Sequence, residues 1–533
     1  MHVACKPVTS FSKGLSVETN SRPKKKVTSG ITMIHLNSPI TAPIHTRLVR
    51  GLGIRAHIGN RLKQIIGLAI GVLLIHQTQN ACALEIATKS VFRAGAASVE
   101  ITPPLGEMVV GGFIPFPADR IHDPLFAKCI VLDDGEQRLA LVICDNLGIR
   151  REEFDSARKI ISSESNINAN HILMAATHTH SATRGQSDKY RSILVEGIAR
   201  VVNQAIDNLE PAMIGWGSVD EPSEVFNRRR YLEDATLRHN PFGGIDQVRM
   251  NPPRAHGSLQ KPAGPIDPEI SFISIQAIDG TQLALLANYS LHYVGGVKRG
   301  EVSADYFGIF SKIITQSLGK QSDHPPMVGI LSNGTSGDIN NINFKQRDGR
   351  RWAPYEKMQQ VAELIAKRVI NAHKKIQHQT WVPLEILDQE LTLVMRKPDK
   401  QLQDYFASIM KKPEDGDKHH PYERIYADRV ANLDAGPDEI SVLLQCIRIG
   451  NLAVLSIPFE TFAEIGLELK SKSPFEHTFT IELANGSRGY LPTPRQHQLG
   501  GYETWMGTNR VEKQASVKIT ESLLKMMHEA KKN

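Results

Sequence analysis

The sequence is poor in cysteine, with five in 533 residues. Cys5 and Cys82 fall in the N-terminal stretch, leaving Cys129, Cys144 and Cys446 at wide spacing. Three such thiols make neither a disulfide framework nor a zinc ribbon. Cys129 and Cys144 flank one turn, and both a pair and two free buried thiols fit that spacing. Long apolar runs are lacking too. IIGLAIGVLLI at 65–75 has only 11 residues, too few to cross a bilayer. There is no His-Glu-x-x-His, which argues against a helix-borne zinc protease. There is no Gly-x-Ser-x-Gly either. The nearest run, NGSRG at 485–489, begins with Asn and sits on no strand-to-helix elbow, which argues against a serine hydrolase. Acidic residues are nearly missing from the first 83 positions, where Glu18 stands alone against 11 Lys and Arg. The remaining 450 residues hold 52 basic and 55 acidic side chains. The formal charge of +7 is therefore confined to the leader, and no phosphate-tracking surface is expected, hence no nucleic-acid partner.

That leader has the layout of a targeting segment. Arg47, Arg50, Arg55, Arg61 and Lys63 precede the apolar run, and HQTQNACA follows it. ACA at 81–83 fits the small-x-small cleavage rule. Residues 1–83 are expected to be a signal region cut after Ala83, with an uncleaved anchor as the alternative and Met33 as an alternative start. The protein is then exported, to the periplasm, cell surface or medium, with peripheral membrane contact left open. Residues 84–533 are expected to form one catalytic domain, because no Pro/Ser linker or fixed repeat divides them.

What is present is mixed α and β patterning. LFAKCIVLDDGEQRLALVICD (125–145), EISFISIQAIDGTQLALLANYSLHYV (269–294) and VLLQCIRIGNLAVLSIPFE (442–460) each place a polar turn between two apolar runs, the signature of a hairpin. Helical spacing marks 152–165, 192–209, 303–319, 352–376 and the closing 510–531; further strands are expected at 172–176, 212–219, 327–334 and 478–492. Residues 222–268, rich in Arg, Pro, Gly and Asn, are expected to be a long surface or functional excursion. Residues 397–440 are charged and aperiodic, and a surface insertion is expected there. The fold class is α/β in the broad α+β sense: mixed β-sheets flanked by helices, with a metal site at strand ends.

Chemistry-bearing residues recur where apolar runs stop. ILMAA (172–176) leads into THTH (177–180). If the strand continued, His178 and His180 would face one side. A lone His-x-His is a weak metal signal, since a site needs three or four ligands, and an ordinary polar loop or a metal-free acid/base pair fits it as well. His292 follows ALLANYSL, Glu460 follows LAVLSIPF, and Tyr490 follows IELANGSRG. Singly, His292 reads as a core histidine and Glu460 as a helix N-terminal acid. Together they are ligand types at equivalent strand ends. SNGTSGDINN (332–341) adds a turn whose Asn and Gly let backbone approach a ligand closely.

ATHTHSA, NYSLH, SADYFG, NGTSGD, PFE and GYLPT, in this order over residues 93–510, resemble the neutral ceramidases. These are zinc amidases that split ceramide into a sphingoid base and a fatty acid. The resemblance implies zinc held by His178, His292, Glu460 and Tyr490, with His180 beside the bound water. It implies catalytic roles for Arg228 in NRRR, for Tyr502 in the downstream Tyr-Glu pair, and for the loop position that is Asn340 here. Asn333, Gly337 and Asp338 are implied to meet the substrate's polar head. Two differences stand out. Asn340 and Asn341 occupy places where the family has Ser and Pro. Too few residues follow Tyr502 for the family's C-terminal immunoglobulin-like domain, so none is expected. Asn340 can donate and accept hydrogen bonds but offers no hydroxyl. The expected activity is hydrolysis of a linear N-acyl bond in a ceramide-like lipid. A different amide, an ester, or a non-catalytic exported lipid- or ligand-binding member of the fold remain the alternatives.

Overall fold

The computed structural model describes residues 91–532, apart from 113, 186, 321–323, 348–350 and 415. The leader and its cleavage position lie outside the described residues, which belong to the compact unit Ile86–Asn533.

Each hairpin expected from the sequence forms, and each is the start of a larger unit. In the first, β2 (Phe126–Asp133) and β3 (Arg138–Cys144), placed after β1 (Arg93–Glu100), pair antiparallel. The turn between them closes because Asp133 and Asp134 carboxylates accept the backbone N–H groups of Gly135, Glu136 and Gln137. Helix α1 (Arg151–Glu164) then returns the chain to β4 (Ile172–Ala176), which lies parallel to β3. After helix α2 (Asp188–Asp207) and strand β5 (Glu210–Asp220) the scheme repeats. Strands β6 (Glu269–Ala277) and β7 (Gln282–Tyr289) form a hairpin, helix α3 (Asp305–Leu318) crosses, and β8 (Val328–Asn333) pairs parallel to β7. Together they make one eight-stranded sheet in the order β8-β7-β6-β5-β1-β2-β3-β4. The third unit builds a second sheet. Helix α4 (Glu356–His373) precedes β9 (Leu384–Val394), helices α5 (Lys400–Lys411) and α6 (Glu423–Asp434), and strand β10 (Glu439–Ile449). Strand β11 (Leu452–Ile457) completes the hairpin, α7 (Ala463–Lys472) crosses, and β12 (His477–Glu482) pairs parallel to β11.

The two sheets stack face to face. Ile130, Leu141, Ile143 and Leu173 of the first meet Ile447, Val454, Phe479 and Ile481 of the second in one core. Helices cover the outer faces: α1 and α2 over one half of the large sheet, α3 and α4 over the other, and α7 with the closing helix (Ala515–Lys532) over the small one. The strands between sheet and helices therefore bury both faces, which is why runs such as 126–133, 138–144, 282–289 and 452–457 read as near-continuously apolar rather than alternating. The sheets meet closely at the end of β4, where Ala175 bridges to Ala484 and Asn485 donates its N–H to Met174 O. Small side chains allow that approach.

Several expectations change. Residues 397–440 are not aperiodic: Leu402 and Phe406 of α5 pack with Tyr426 and Val430 of α6, and Ile409 of α5 is buried too. The charged remainder of each short helix hides this stripe in the sequence. The excursion 222–268 is more than surface, since Arg229 is fully buried. Cys129, Cys144 and Cys446 are free thiols, and burial pushes Cys129 and Cys144 well up.

Candidate metal centre

The strand ends converge. His178 follows β4, His292 follows β7, and Glu460 follows β11 in the third unit. Glu460–Thr461 and Tyr490–Leu491 form a two-residue parallel ladder in which Glu460 and Tyr490 are register partners. His178 Nε2 lies 2.9 Å from His292 Nε2, 3.1 Å from His180 Nε2 and 3.3 Å from Glu460 Oε2. His292 Nε2 lies 3.7 Å from the same carboxylate oxygen. Tyr490 bonds to Glu460 as well. His178, His292, Glu460 and Tyr490 are all buried.

The pleat does not bring the two histidines of THTH together. β4 ends at Ala176, and His178 sits at φ +72°, in the left-handed region that costs a non-glycine residue roughly 1–2 kcal/mol. Such a conformation persists only where the surroundings over-determine it. Here they do: His178 N–H donates to Asn146 O and Thr179 Oγ1 to Ser303 O. Gly111 backs the loop so closely that a Cβ there would lie 2.1 Å from His180 O.

The second nitrogens decide what the centre can hold. His178 Nδ1 is 2.6 Å from Leu147 O, and His292 Nδ1 is 3.2 Å from Ser336 O. A carbonyl only accepts, so both Nδ1 atoms carry the proton and both Nε2 atoms of the neutral rings present lone pairs. Two lone pairs at 2.9 Å repel unless a positive charge lies between them. His180 likewise bonds to Gly111 backbone and turns its Nε2 to the same point. The ligand nitrogens of His178, His180 and His292 all lie within 4.8 Å of one another. Three imidazoles with carbonyl-fixed tautomers, a carboxylate and a phenol are a donor set suited to zinc. His180 presents its Nε2 to the same point from beside the His178–His292 pair.

Electrostatics agree with a cation-binding role. Burial and the neighbouring His178 push His180 well below the ordinary imidazole range, and the same causes act on His292. Burial would raise Glu460, but His178, the Tyr490 hydroxyl and Arg228 outweigh it and hold the carboxyl at about 2. Burial pushes the Tyr490 phenol up.

The other expected site residues divide into two groups. Arg228 belongs to the centre: its Nη2 donates to Tyr490 Oη at 3.0 Å. Tyr502 packs its ring edge-on to Tyr490, centroids 5.6 Å apart, and burial raises its phenol to about 12. Asn333, at the end of β8, is wholly buried, and neither its Oδ1 nor its Nδ2 finds a hydrogen-bond partner among the described residues. Gly337 lies against Glu460, where a Cβ would be 2.4 Å from Glu460 O. The remaining two are engaged elsewhere. Asn340 donates to Asn251 Oδ1 at 2.7 Å and accepts from Ile342 N. Asp338 accepts from Asn227 Nδ2 at 2.6 Å and from the Ala463 N–H at the start of α7.

Sequence reasoning missed Arg229, Ser336, Glu482 and Glu503, all neighbours of the centre. Glu503 accepts from Arg228 Nε at 2.9 Å and Arg229 Nη1 at 2.7 Å. Glu482 accepts from Ser336 Oγ at 2.6 Å and from the Ser336 and Thr461 N–H groups, so it ties the His292 partner to the residue after Glu460. Glu503 and Glu482 lie beside residues already singled out, in YE and IELANG, and that adjacency was the available signal.

The fold and this centre define a class: a two-sheet, helix-flanked protein with a buried histidine–carboxylate–phenol cluster at the strand ends. No protein-family model matches the sequence. The fold is that of neutral ceramidase. The chain superposes on the structure of neutral ceramidase from Pseudomonas aeruginosa with TM-score 0.62 and 16% identity, covering 83% of this chain and 74% of that one. A structure of ceramidase complexed with C2 gives the same score and identity over 83% and 75%.

Proposed function

We propose that this protein is an exported zinc-dependent amidohydrolase that cleaves the N-acyl bond of a ceramide-like lipid into a sphingoid base and a fatty acid. The observation that carries the reading is the pair of lone-pair-bearing Nε2 atoms of His178 and His292, 2.9 Å apart beside Glu460. The ceramidase fold points to the substrate class. His178, His292, Glu460 and Tyr490 hold the metal, with His180 at its side. Zinc bound there supplies Lewis-acid polarisation and lowers the pKa of a water from about 15.7 to about 7.

The chain's own residues supply the rest. The carbonyls of Leu147 and Ser336 fix both ring orientations and so pre-organise the centre. His180, kept neutral by burial, takes a proton at Nε2 and returns it to the leaving amine. The Arg228 guanidinium, poised on Tyr490, stabilises negative charge developing on the amide oxygen, and the Tyr502 hydroxyl is the second donor. The unbonded amide of Asn333 meets the substrate's polar head. Asn340, in place of a serine, turns its side-chain amide to Asn251 and the Ile342 N–H and leaves that head without a hydroxyl.

The test is metal content and fatty-acid release. Purified protein is expected to carry about one zinc, lost in His178→Ala, and to release fatty acid from N-acylsphingosines until a chelator is added. Equal, near-zero zinc in both proteins ends the metal reading; a zinc-loaded wild type inert on ceramides of all chain lengths ends the substrate reading.

A further inference from the structure

A large cleft lies on the helix-covered face of the large sheet. It is a half-open cleft of about 1260 Å³ between the middle of β1, the start of β2, and helices α2 and α3, more than the roughly 300–1,000 Å³ of a typical small-ligand site. None of the centre's histidines, nor Glu460 or Tyr490, lines it.

Its inner end is polar and incompletely satisfied. Asp145, 1% exposed, accepts from Lys128 Nζ at 2.6 Å and from Phe126 N at 3.0 Å, both through Oδ2. Its Oδ1 is buried with no hydrogen-bond partner among the described residues. An orphaned carboxylate oxygen in a protein interior calls for an explanation, because a buried acceptor without a donor is costly. Asp123 lies on the same wall and accepts from Ala304 N at 2.7 Å. The charged groups lining the cavity are Asp123, Asp145 and Glu356 against Lys128 and Lys312, an excess of one negative charge. Apolar side chains line it as well, among the polar ones of α2 and α3. Ile309 and Ile313, one turn apart on α3 and only partly buried, face it together with Phe126 and Met327.

We propose that this cavity binds one long-chain alkyl amine, its ammonium donating to Asp145 Oδ1 and Asp123 and its chain lying along Ile309 and Ile313. An ammonium has three donors and no acceptor, which matches an orphaned carboxylate oxygen and the negative excess; a fatty acid would place a third carboxylate beside two. Ile309 and Ile313, one turn apart beside Phe126 and Met327, favour an alkyl chain over a small cation. The polar end is one segment removed from the candidate centre: Ser303, next to Ala304, accepts from Thr179 Oγ1 at 2.7 Å and donates to Ser181 O at 3.0 Å.

Isothermal titration of the purified full-length, zinc-loaded protein with dodecylamine, dodecanol and dodecanoic acid tests this. One equivalent of dodecylamine is expected to bind, at least tenfold tighter than dodecanol, with dodecanoic acid weakest. Ile313→Trp, which fills the track, is expected to weaken the amine at least tenfold, and Asp145→Asn to erase its advantage over the alcohol. Ile309→Trp serves as the alternative should Asp145→Asn fail to fold. His178→Ala is expected to bind the amine as the wild type does, which separates this cavity from the candidate metal centre. No saturable amine binding, equal or tighter binding of the acid, indifference to both tryptophans, or loss of binding in His178→Ala would each overturn the proposal.

Discussion

Glu503 accepts from Arg228 Nε at 2.9 Å, and that bond aims the far end of the same guanidinium at the Tyr490 phenol, 3.0 Å from Nη2. Glu503 is fully buried and also neutralises Arg229. One carboxylate thus serves two guanidiniums and sets the position of a group that touches the metal centre.

Glu503→Gln tests that arrangement. Removing one partner of a buried ion cluster typically destabilises by about 3–5 kcal/mol; Gln keeps an acceptor, so about 3 kcal/mol is expected from urea denaturation. Activity should fall further than stability explains, with kcat reduced more than KM, because Arg228 loses its anchor. An unchanged kcat in folded Glu503→Gln would separate Arg228 from the chemistry.

Chelation should destabilise the protein. Zinc that binds only the folded state at a hundredfold excess over its Kd contributes about 3 kcal/mol. Dialysis against a chelator is therefore expected to lower Tm by several degrees, reversibly. His292→Ala should show no such response. A wild-type Tm indifferent to chelator would argue against a structural stake in the metal.

Gly337→Ala is expected to disturb the centre without touching a ligand. Its Cβ would lie 2.4 Å from Glu460 O, and backbone cannot yield as a flexible side chain can. Overpacking of this kind costs about 1–3 kcal/mol. The expected readout is weaker zinc binding by competition with a chromophoric chelator, with circular dichroism close to wild type.

Asp305 gives a pH signature away from the ligands. Burial raises its carboxyl from 3.8 to about 6, even though the Tyr306, Gly295 and Val294 N–H groups bond to it. The folded state then holds its proton more tightly than the unfolded one. The stability this provides is complete below about pH 4 and is lost as pH rises through 6, a change on the order of 3 kcal/mol. Asp305→Asn, tolerated at φ +54°, should flatten the slope of unfolding free energy between pH 4 and 6. Equal slopes in both proteins would show that Asp305 titrates normally.

The architecture was legible where periodicity was strong. All three hairpins and the long helix over 356–373 could be read from apolar spacing and turn residues. β9 was not: LEILDQELTLV carries Asp, Gln and Glu among its apolar positions, because one of its faces is only partly covered. His178 and His292 were recognisable because each ends an apolar run. Their meeting depends instead on a left-handed residue that no local pattern announces. Glu482, Glu503 and Arg229 were illegible for another reason. A charged residue in a sequence looks solvated, and only the fold reveals its partner: Ser336, 146 positions before Glu482, and Arg228 and Arg229, 275 and 274 positions before Glu503.

The repetition of hairpin, helix and parallel strand has a consequence for biogenesis. The first unit delivers His178 and the second His292, but Glu460 and Tyr490 come only with the third. A ribosome-bound intermediate with two units made would own imidazoles and no anionic ligand. The complete donor set of the candidate centre exists only once the last unit has docked, so an incompletely synthesised or C-terminally clipped chain is expected to lack the proposed activity.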